Sequence, residues 1–295
     1  MPKVAALYRY PIKGLEPERL PALRLQSDGR IAGDRVLTFR YADALVPQER
    51  DGLDYWPKGG GLCVRDYPGL TRLELRYDAD ALAVEITGPD GLLAREGLDE
   101  SGRQALAAAV TEFVRATPEG KRLDAPGRLP LHVIGDGVQA RFQDRAPGFV
   151  SVHNRASLAA LEEATGESLD EVRFRSNIAL DGIEPWEEDR LIGSYTRIGG
   201  VLFRVHKLIN RCLAIHANPD TGRFDVPVMQ TLTRVLGRAK PSFGFLLLPV
   251  ADAGAAQDAP GAAETHRAQE IHVGEENWAA AEIRVGDTVT FTDAG

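Results

Sequence analysis

Short apolar runs broken by Gly, Pro and Asp dominate the first stretch of the chain, and their spacing predicts strands and turns. Val4 to Tyr10 is rich in strand formers and stops at Pro11. Arg19 to Leu25 alternates weakly before the turn Ser27-Asp28-Gly29-Arg30, and Val36 to Tyr41 predicts another strand. Leu70 to Tyr77 and Ala81 to Thr87 read as a hairpin-like pair across Asp78-Ala79-Asp80, ended by Gly88-Pro89-Asp90-Gly91. Strands at this spacing suggest a small barrel or sandwich. The period then changes. Over 101–116, Leu106, Val110, Phe113 and Val114 form one helical stripe, which Pro118-Glu119-Gly120 stops. This helix marks the seam between two regions.

A second helix is predicted over 155–165, with Asn154 as its N-cap, Leu158 and Leu161 inward, and Gly166 at its end. Val172 to Leu180 predicts a strand with alternate basic residues. A loop follows (181–190), then two strands around Gly199-Gly200, the second an apolar run from Val201 to Ile209. Val226 to Arg238 is expected to be helical in part, 251–268 a loose loop, and 283–291 a closing strand pair. The whole reads as an α+β, β-rich protein.

The chain has 295 residues, room for one large or two modest domains. Its net charge of −8 argues against a general nucleic-acid binder, because phosphate neutralisation needs a basic face. The cysteines, Cys63 and Cys212, make no Cys-x-x-Cys and no disulfide framework, which fits a reducing compartment. The N-terminus lacks a signal-peptide pattern, and the longest aliphatic run, Phe245 to Val250, is too short to span a membrane. A cytoplasmic protein without membrane partners is expected.

Several groups of residues are placed for chemistry. Cys212 follows the apolar run directly, beside Arg211, with Asn218-Pro219-Asp220-Thr221-Gly222 beyond it. A neighbouring guanidinium favours the thiolate, yet a free cysteine also serves as a small buried hydrophobe, and both readings stand. Tyr10-Pro11-Ile12-Lys13-Gly14 carries a lysine into a turn, and Gly33-Asp34-Arg35 forms another. On a strand, Arg173, Arg175 and Asn177 would share one face, suited to a phosphate or polar heterocycle. The alternative is a solvated face paired with Glu171, Glu187 or Glu188. His206 and His216 flank Cys212, which leaves a Cys/His pair open. Lys58-Gly59-Gly60-Gly61 lacks the ending of a P-loop and reads as a flexible loop. Glu184, Glu187, Glu188 and Asp189 read as a solvated acidic loop.

In order along the chain, these segments resemble the MOSC family with its preceding N-terminal β-barrel domain. That group includes bacterial molybdenum-dependent N-hydroxyl reductases and the mitochondrial amidoxime-reducing component. Tyr10-Pro11-Ile12-Lys13 is similar to its Tyr-Pro-Val-Lys, and Gly33-Asp34-Arg35 matches its Gly-Asp-Arg. Arg65 to Leu70 resembles Arg-x-x-Pro-x-Leu, and Ser157-Leu158 the helix-opening Ser-Leu. Arg173 to Ile178 is similar to Asn/Arg-Phe-Arg-Pro-Asn-Ile. Arg211-Cys212 with Asn218 to Gly222 resembles Arg-Cys…Asp-Pro-x-Thr-Gly, and Gly286-Asp287 the terminal Val-Gly-Asp.

The resemblance implies an N-terminal β-barrel-like domain over 1–95, then a connecting helix and a MOSC β-barrel domain with flanking helices over 96–295. It implies a molybdenum cofactor, a molybdenum ion on a pterin dithiolene, with Cys212 as metal ligand and catalytic residue; soft thiolate ligation suits such a centre. Lys13, Arg35, Arg173, Arg175, Asn177 and Arg211 are the matching positions for the pterin phosphate. The wider family also suggests pyridoxal phosphate. The implied activity is reduction of N-hydroxylated or related small molecules; the alternative is a non-redox carrier of cofactor or of sulfur as a persulfide. No cysteines remain for a ferredoxin domain, so a separate ferredoxin- or flavin-type electron donor is expected. The chain departs from the pattern at Gly14, where Ser is common, at Ser176 in place of Pro, and at Ile215-His216 in place of Thr-Thr. The last change raises the question of His216 near the centre.

Overall fold

A computed structural model describes residues 1–50, 52–144, 149–250, 278 and 281–292. The loop expected over 251–268 lies outside them. The protein is α+β and β-rich, as its pattern predicts. The main sheet has eight strands in the order Val289–Thr292, Tyr195–Ile198, Val201–Asn210, Ser242–Pro249, Val150–Asn154, Ile178–Asp181, Lys3–Arg9, Glu18–Arg19. It curls far enough for its ends to meet: Val4 N–H donates to the Asp287 carbonyl at 2.9 Å, and Val289 N–H to that of Pro2 at 2.9 Å. The inner face closes on Leu7, Val152, Ile178, Phe203, Phe245 and Leu247, all essentially inaccessible to solvent. Each such side chain contributes about 1.5–3 kcal/mol on burial.

A second core gathers on smaller sheets. Glu74–Asp78, Ala83–Gly88 and Gly91–Gly97 make one antiparallel meander; Ile12–Lys13, Leu37–Arg40 and His132–Ile134 make another sheet. Helix α1 (Glu100–Arg115) packs Leu106, Val110 and Val114 into this core, capped by Asp99, whose carboxylate accepts from Gly102 N–H at 2.7 Å. The cores interleave in sequence. Strand Lys3–Arg9 pairs with Ile178–Asp181 in the large sheet, and two residues later Ile12–Lys13 serves the smaller one.

Helix α2 (Arg155–Thr165) begins and ends as its sequence predicts: Asn154 accepts from Ala156 N–H, and Gly166 adopts φ 74°. Four local expectations fail. Residues 171–174 form a 3-10 turn and Arg175 takes φ 51°, so the strand starts only at Ile178. Pro68–Arg72 is likewise a 3-10 turn. The final strands do not pair with each other: Glu282–Arg284 joins Ala22–Arg24, and Val289–Thr292 joins Tyr195–Ile198. In the acidic loop, Glu188 is buried, accepting from the Ser157 hydroxyl at 2.8 Å, and burial raises its pKa. Among the described residues, no helix is long and apolar enough to cross a membrane.

Candidate functional site

The site lies where the two cores meet. A cavity of about 210 Å³ is lined by Cys212 and by every basic or amide residue singled out from the sequence: Lys13, Arg35, Arg173, Arg175, Asn177 and Arg211. Lys58, Arg65, Cys63, Asp144 and Phe149 also face it. Cations thus arrive from both halves of the chain, and Asp144 is the carboxylate among the lining residues.

Strand Val201–Asn210 delivers Arg211 and Cys212 to the cavity, as its apolar run predicts. Cys212 has extended backbone, φ −125° and ψ 179°, and is half-buried; its carbonyl accepts from Ile215 N–H and starts the turn Leu213–His216. Arg211 points inward. Its guanidinium donates to the carbonyls of Phe243 at 2.7 Å and Phe174 at 2.5 Å, and lies over both rings at 5.9 and 5.7 Å. None of these partners carries a charge. Burial pushes its pKa down to about 9, which leaves it cationic at neutral pH. Gly244, at φ 72°, allows this approach: a Cβ there would stand 3.1 Å from Arg211 Nη2 and 2.3 Å from the Val152 carbonyl.

Tyr10, fully buried, is the hub of the opposite wall. Arg35 and Arg175 stack on its ring at 4.8 and 4.6 Å. Arg35 pairs with Asp34 and donates to the Arg175 carbonyl at 3.1 Å. Arg175 donates to the Leu15 carbonyl at 2.7 Å, while its Nη1, 3.6 Å from Glu16, is buried without a hydrogen-bond partner. Burial raises the Glu16 carboxyl to about 7, against the lowering effect of Arg175.

Asn177 braces these pieces. Its Oδ1 accepts from the Ser151 hydroxyl at 2.7 Å and Ser151 N–H at 3.2 Å; its Nδ2 donates to the Tyr8 carbonyl at 3.2 Å and to Asp34 at 3.0 Å. Its hydrogen bonds therefore run to the protein. Arg173 does not share a strand face with Arg175 and Asn177, because the 3-10 turn rotates it away. Its guanidinium grips Asp225 at 2.7 and 2.6 Å and donates to the His216 carbonyl at 3.2 Å. The acids that meet these arginines are Asp225 and Glu16, not the Glu171, Glu187 or Glu188 expected. His216 is buried outside the cavity lining, with Nε2 accepting from Met229 N–H at 3.1 Å, which removes it as a base for Cys212. Gly14 has a backbone reason for its departure from Ser: at φ 97°, a Cβ would sit 3.1 Å from the Leu62 carbonyl.

Lys58 lies in the glycine run whose sequence reads as a flexible loop. The run forms a 3-10 turn at Lys58–Gly60 and puts the ammonium 2.6 Å from Asp144, whose other oxygen is 2.9 Å from Lys13. Burial pulls the Lys13 pKa down, while Asp144 pulls it back up. Cys63 is buried, its thiol donating to Asp66 at 3.2 Å; burial and that carboxylate push it up to about 11. No signal in the sequence ties Cys63, Lys58 or Asp144 to Cys212, since folding alone brings their segments together. Among the described residues, no group of three or more His, Cys, Asp or Glu is placed to hold a metal ion.

A 128-residue segment is 40% identical to molybdenum cofactor sulfurase of Drosophila grimshawi, covering 43% of this chain and 15% of that protein. The homologous protein of Drosophila mojavensis is 38% identical over 96 residues, covering 32% and 12%. The chain therefore spans a small part of the length of these relatives. The crystal structure of YiiM from Geobacillus stearothermophilus aligns over 50% of this chain and 55% of its own, with 16% identity and a TM-score of 0.30. The MOSC domain matches residues 141–290, about half of the chain and the part that carries Arg173, Arg175, Asn177, Arg211 and Cys212, and the protein belongs to the MOSC domain family.

Proposed function

We propose that the protein holds a molybdenum cofactor at Cys212 and reduces N-hydroxylated or related N-oxygenated small molecules. The observation that carries this reading is a half-buried thiol adjoining a half-buried guanidinium, Arg211, whose hydrogen-bond acceptors are all uncharged. A buried cation without a counter-ion is costly, and an anion would relieve it. Arg175 Nη1, on the same cavity, is a second buried donor without a hydrogen-bond partner, its nearest acid being Glu16 at 3.6 Å. A single soft donor suits a metal whose other ligands come with its cofactor, and it does not suit one held by protein alone. The residues present fit the group.

When bound, the cofactor supplies the two-electron redox chemistry. The chain's own part is positional. Cys212 would hold the metal, while Arg211, Arg35, Arg175 and Lys13 would bind the pterin phosphate. Asn177 keeps the Arg175 turn and the Asp34 turn in register through its bonds to Ser151, Tyr8 and Asp34. Arg173 fixes the turn after Cys212 by its grip on Asp225. Converting N–OH to N–H consumes two electrons and two protons and releases water, so the reading requires a two-electron donor. The test is metal analysis after expression with molybdate, together with turnover of benzamidoxime by a reduced dye. Wild-type protein retains molybdenum and turns over, and Cys212→Ala loses turnover. Full molybdenum occupancy and activity in Cys212→Ala would overturn the assignment.

The likeness to proteins named molybdenum cofactor sulfurase favours a second reading, a non-redox carrier of cofactor or of sulfur as a Cys212 persulfide. A persulfide found by mass spectrometry on metal-free protein, with no benzamidoxime turnover, selects this reading.

A further inference from the structure

We infer that Lys13 and Lys58 form an anion subsite for a phosphate monoester, and that Asp144 is an internal occupant displaced when that anion binds. The two ammoniums close on one carboxylate from opposite sides, at 2.9 and 2.6 Å, each engaging a different oxygen. This is how paired cations hold a tetrahedral oxyanion. The lysines come from separate elements, Ile12–Lys13 and the turn Lys58–Gly60, so no local hairpin forces them together. Their shared partner carries a single negative charge, which leaves the cluster with an excess positive charge. A phosphate monoester dianion would neutralise both ammoniums.

Accessibility supports the exchange. The Lys13 side chain is 14% exposed, whereas that of Asp144 is 43% exposed. The carboxylate thus reaches into the subsite from the solvent side. All three residues line the cavity that holds Cys212 and Arg211. Burial alone would raise the Asp144 carboxyl, but the two lysines overcome this and hold it far below the usual range, so it is ionised and in place at any pH at which the phosphate is a dianion. Arg65, which also faces the cavity, is occupied by Asp66 at 2.7 Å and does not compete for Asp144. The inference deepens the cofactor reading and rests on it only for the source of the phosphate.

An internal competitor lowers apparent affinity by the fraction of time it leaves the subsite open. If Asp144 holds the subsite about nine-tenths of the time, its removal tightens binding about tenfold. The experiment is calorimetric titration of inorganic phosphate at pH 8 into metal-free full-length protein. Asp144→Asn should bind phosphate about tenfold more tightly than wild type. Adding Lys58→Gln to that variant should abolish the gain. Asp144→Ser serves as a second variant, and thermal unfolding verifies that each is folded. Equal or weaker phosphate binding by both Asp144 variants overturns the inference, as does a gain that survives Lys58→Gln. Repeating the titration with molybdenum-loaded protein identifies the source. Loss of phosphate binding assigns the subsite to the cofactor's phosphate, and retained binding overturns that source in favour of a free phosphate or a phosphorylated substrate. Molybdenum occupancy of the same preparation is measured independently, so failure here and failure of the cofactor reading are distinguishable.

Discussion

Replacing Asn177 by Ala separates a brace from a ligand. The side chain makes four hydrogen bonds that tie Ser151, Tyr8 and Asp34 together, and it is 1% exposed. Alanine leaves Ser151 N–H without that acceptor and removes a donor from Asp34, which is itself buried. A buried group left unpaired costs about 1–3 kcal/mol, and a bond to a charged acceptor contributes a further 1.5–3 kcal/mol or so. Asp34 keeps Tyr10 N–H and Arg35, so the lower end applies, and the expected loss is about 3 kcal/mol. For a domain of this size, that lowers the melting temperature by roughly 6–12 °C. Urea denaturation of metal-free protein, with an unchanged slope, is the assay. Asn177→Asp retains the acceptor but sets a second carboxylate against Asp34, and it should be at least as damaging. A loss below about 1 kcal/mol in metal-free Asn177→Ala would refute the bracing role, because it would mean that the side chain is free to serve a ligand instead.

Further outcomes follow from the same geometry. Asp225→Ala strands the Arg173 guanidinium, whose side chain is 2% exposed, and should cost about 3 kcal/mol; adding Arg173→Met should recover part of it, so additive losses in a double-mutant cycle would count against a coupled pair. Glu16 has its folded pKa raised to about 7 by burial, so its protonated form favours folding below the unfolded value of 4.5, and that contribution is lost as pH rises through 7. Glu16→Gln should remove about 3 kcal/mol of pH-dependence across that window, read as the difference in urea stability between variant and wild type at pH 4.5 and 8; identical pH profiles would sink the assignment. At pH 8 a maleimide should label half-buried Cys212 well before Cys63, whose thiol is buried and pushed up to about 11. Peptide mass spectrometry showing Cys63 labelled first would contradict that order.

How much of this was legible beforehand depended on whether the signal was local. Helix α2 was read to the residue because its cap and its terminal glycine are written within the segment. The strand to Cys212 was legible for the same reason: a continuous apolar run ends at a polar turn. Arg173 to Asn177 misled, because alternation of side chains looks the same whether the backbone is extended or wound into a 3-10 turn followed by a left-handed residue. The third strand of the meander, Gly91–Gly97, was missed because the Gly-Pro-Asp-Gly that read as an end is a hairpin turn. Asn177 read as a ligand position only through its family pattern; its partners are 26, 143 and 169 residues away, and no local pattern records them. Lys58 and Asp144 were invisible for the same reason. The sequence shows which residues are basic, but not which of them already hold an acid.

The most direct test of Cys212 as the metal ligand is X-ray absorption at the molybdenum edge, on wild type and Cys212→Ser expressed with molybdate. The proposed reading predicts that wild-type molybdenum carries a sulfur ligand beyond the dithiolene pair, and that Cys212→Ser loses it. An unchanged sulfur shell in the variant, or no molybdenum in the wild-type protein, would contradict it.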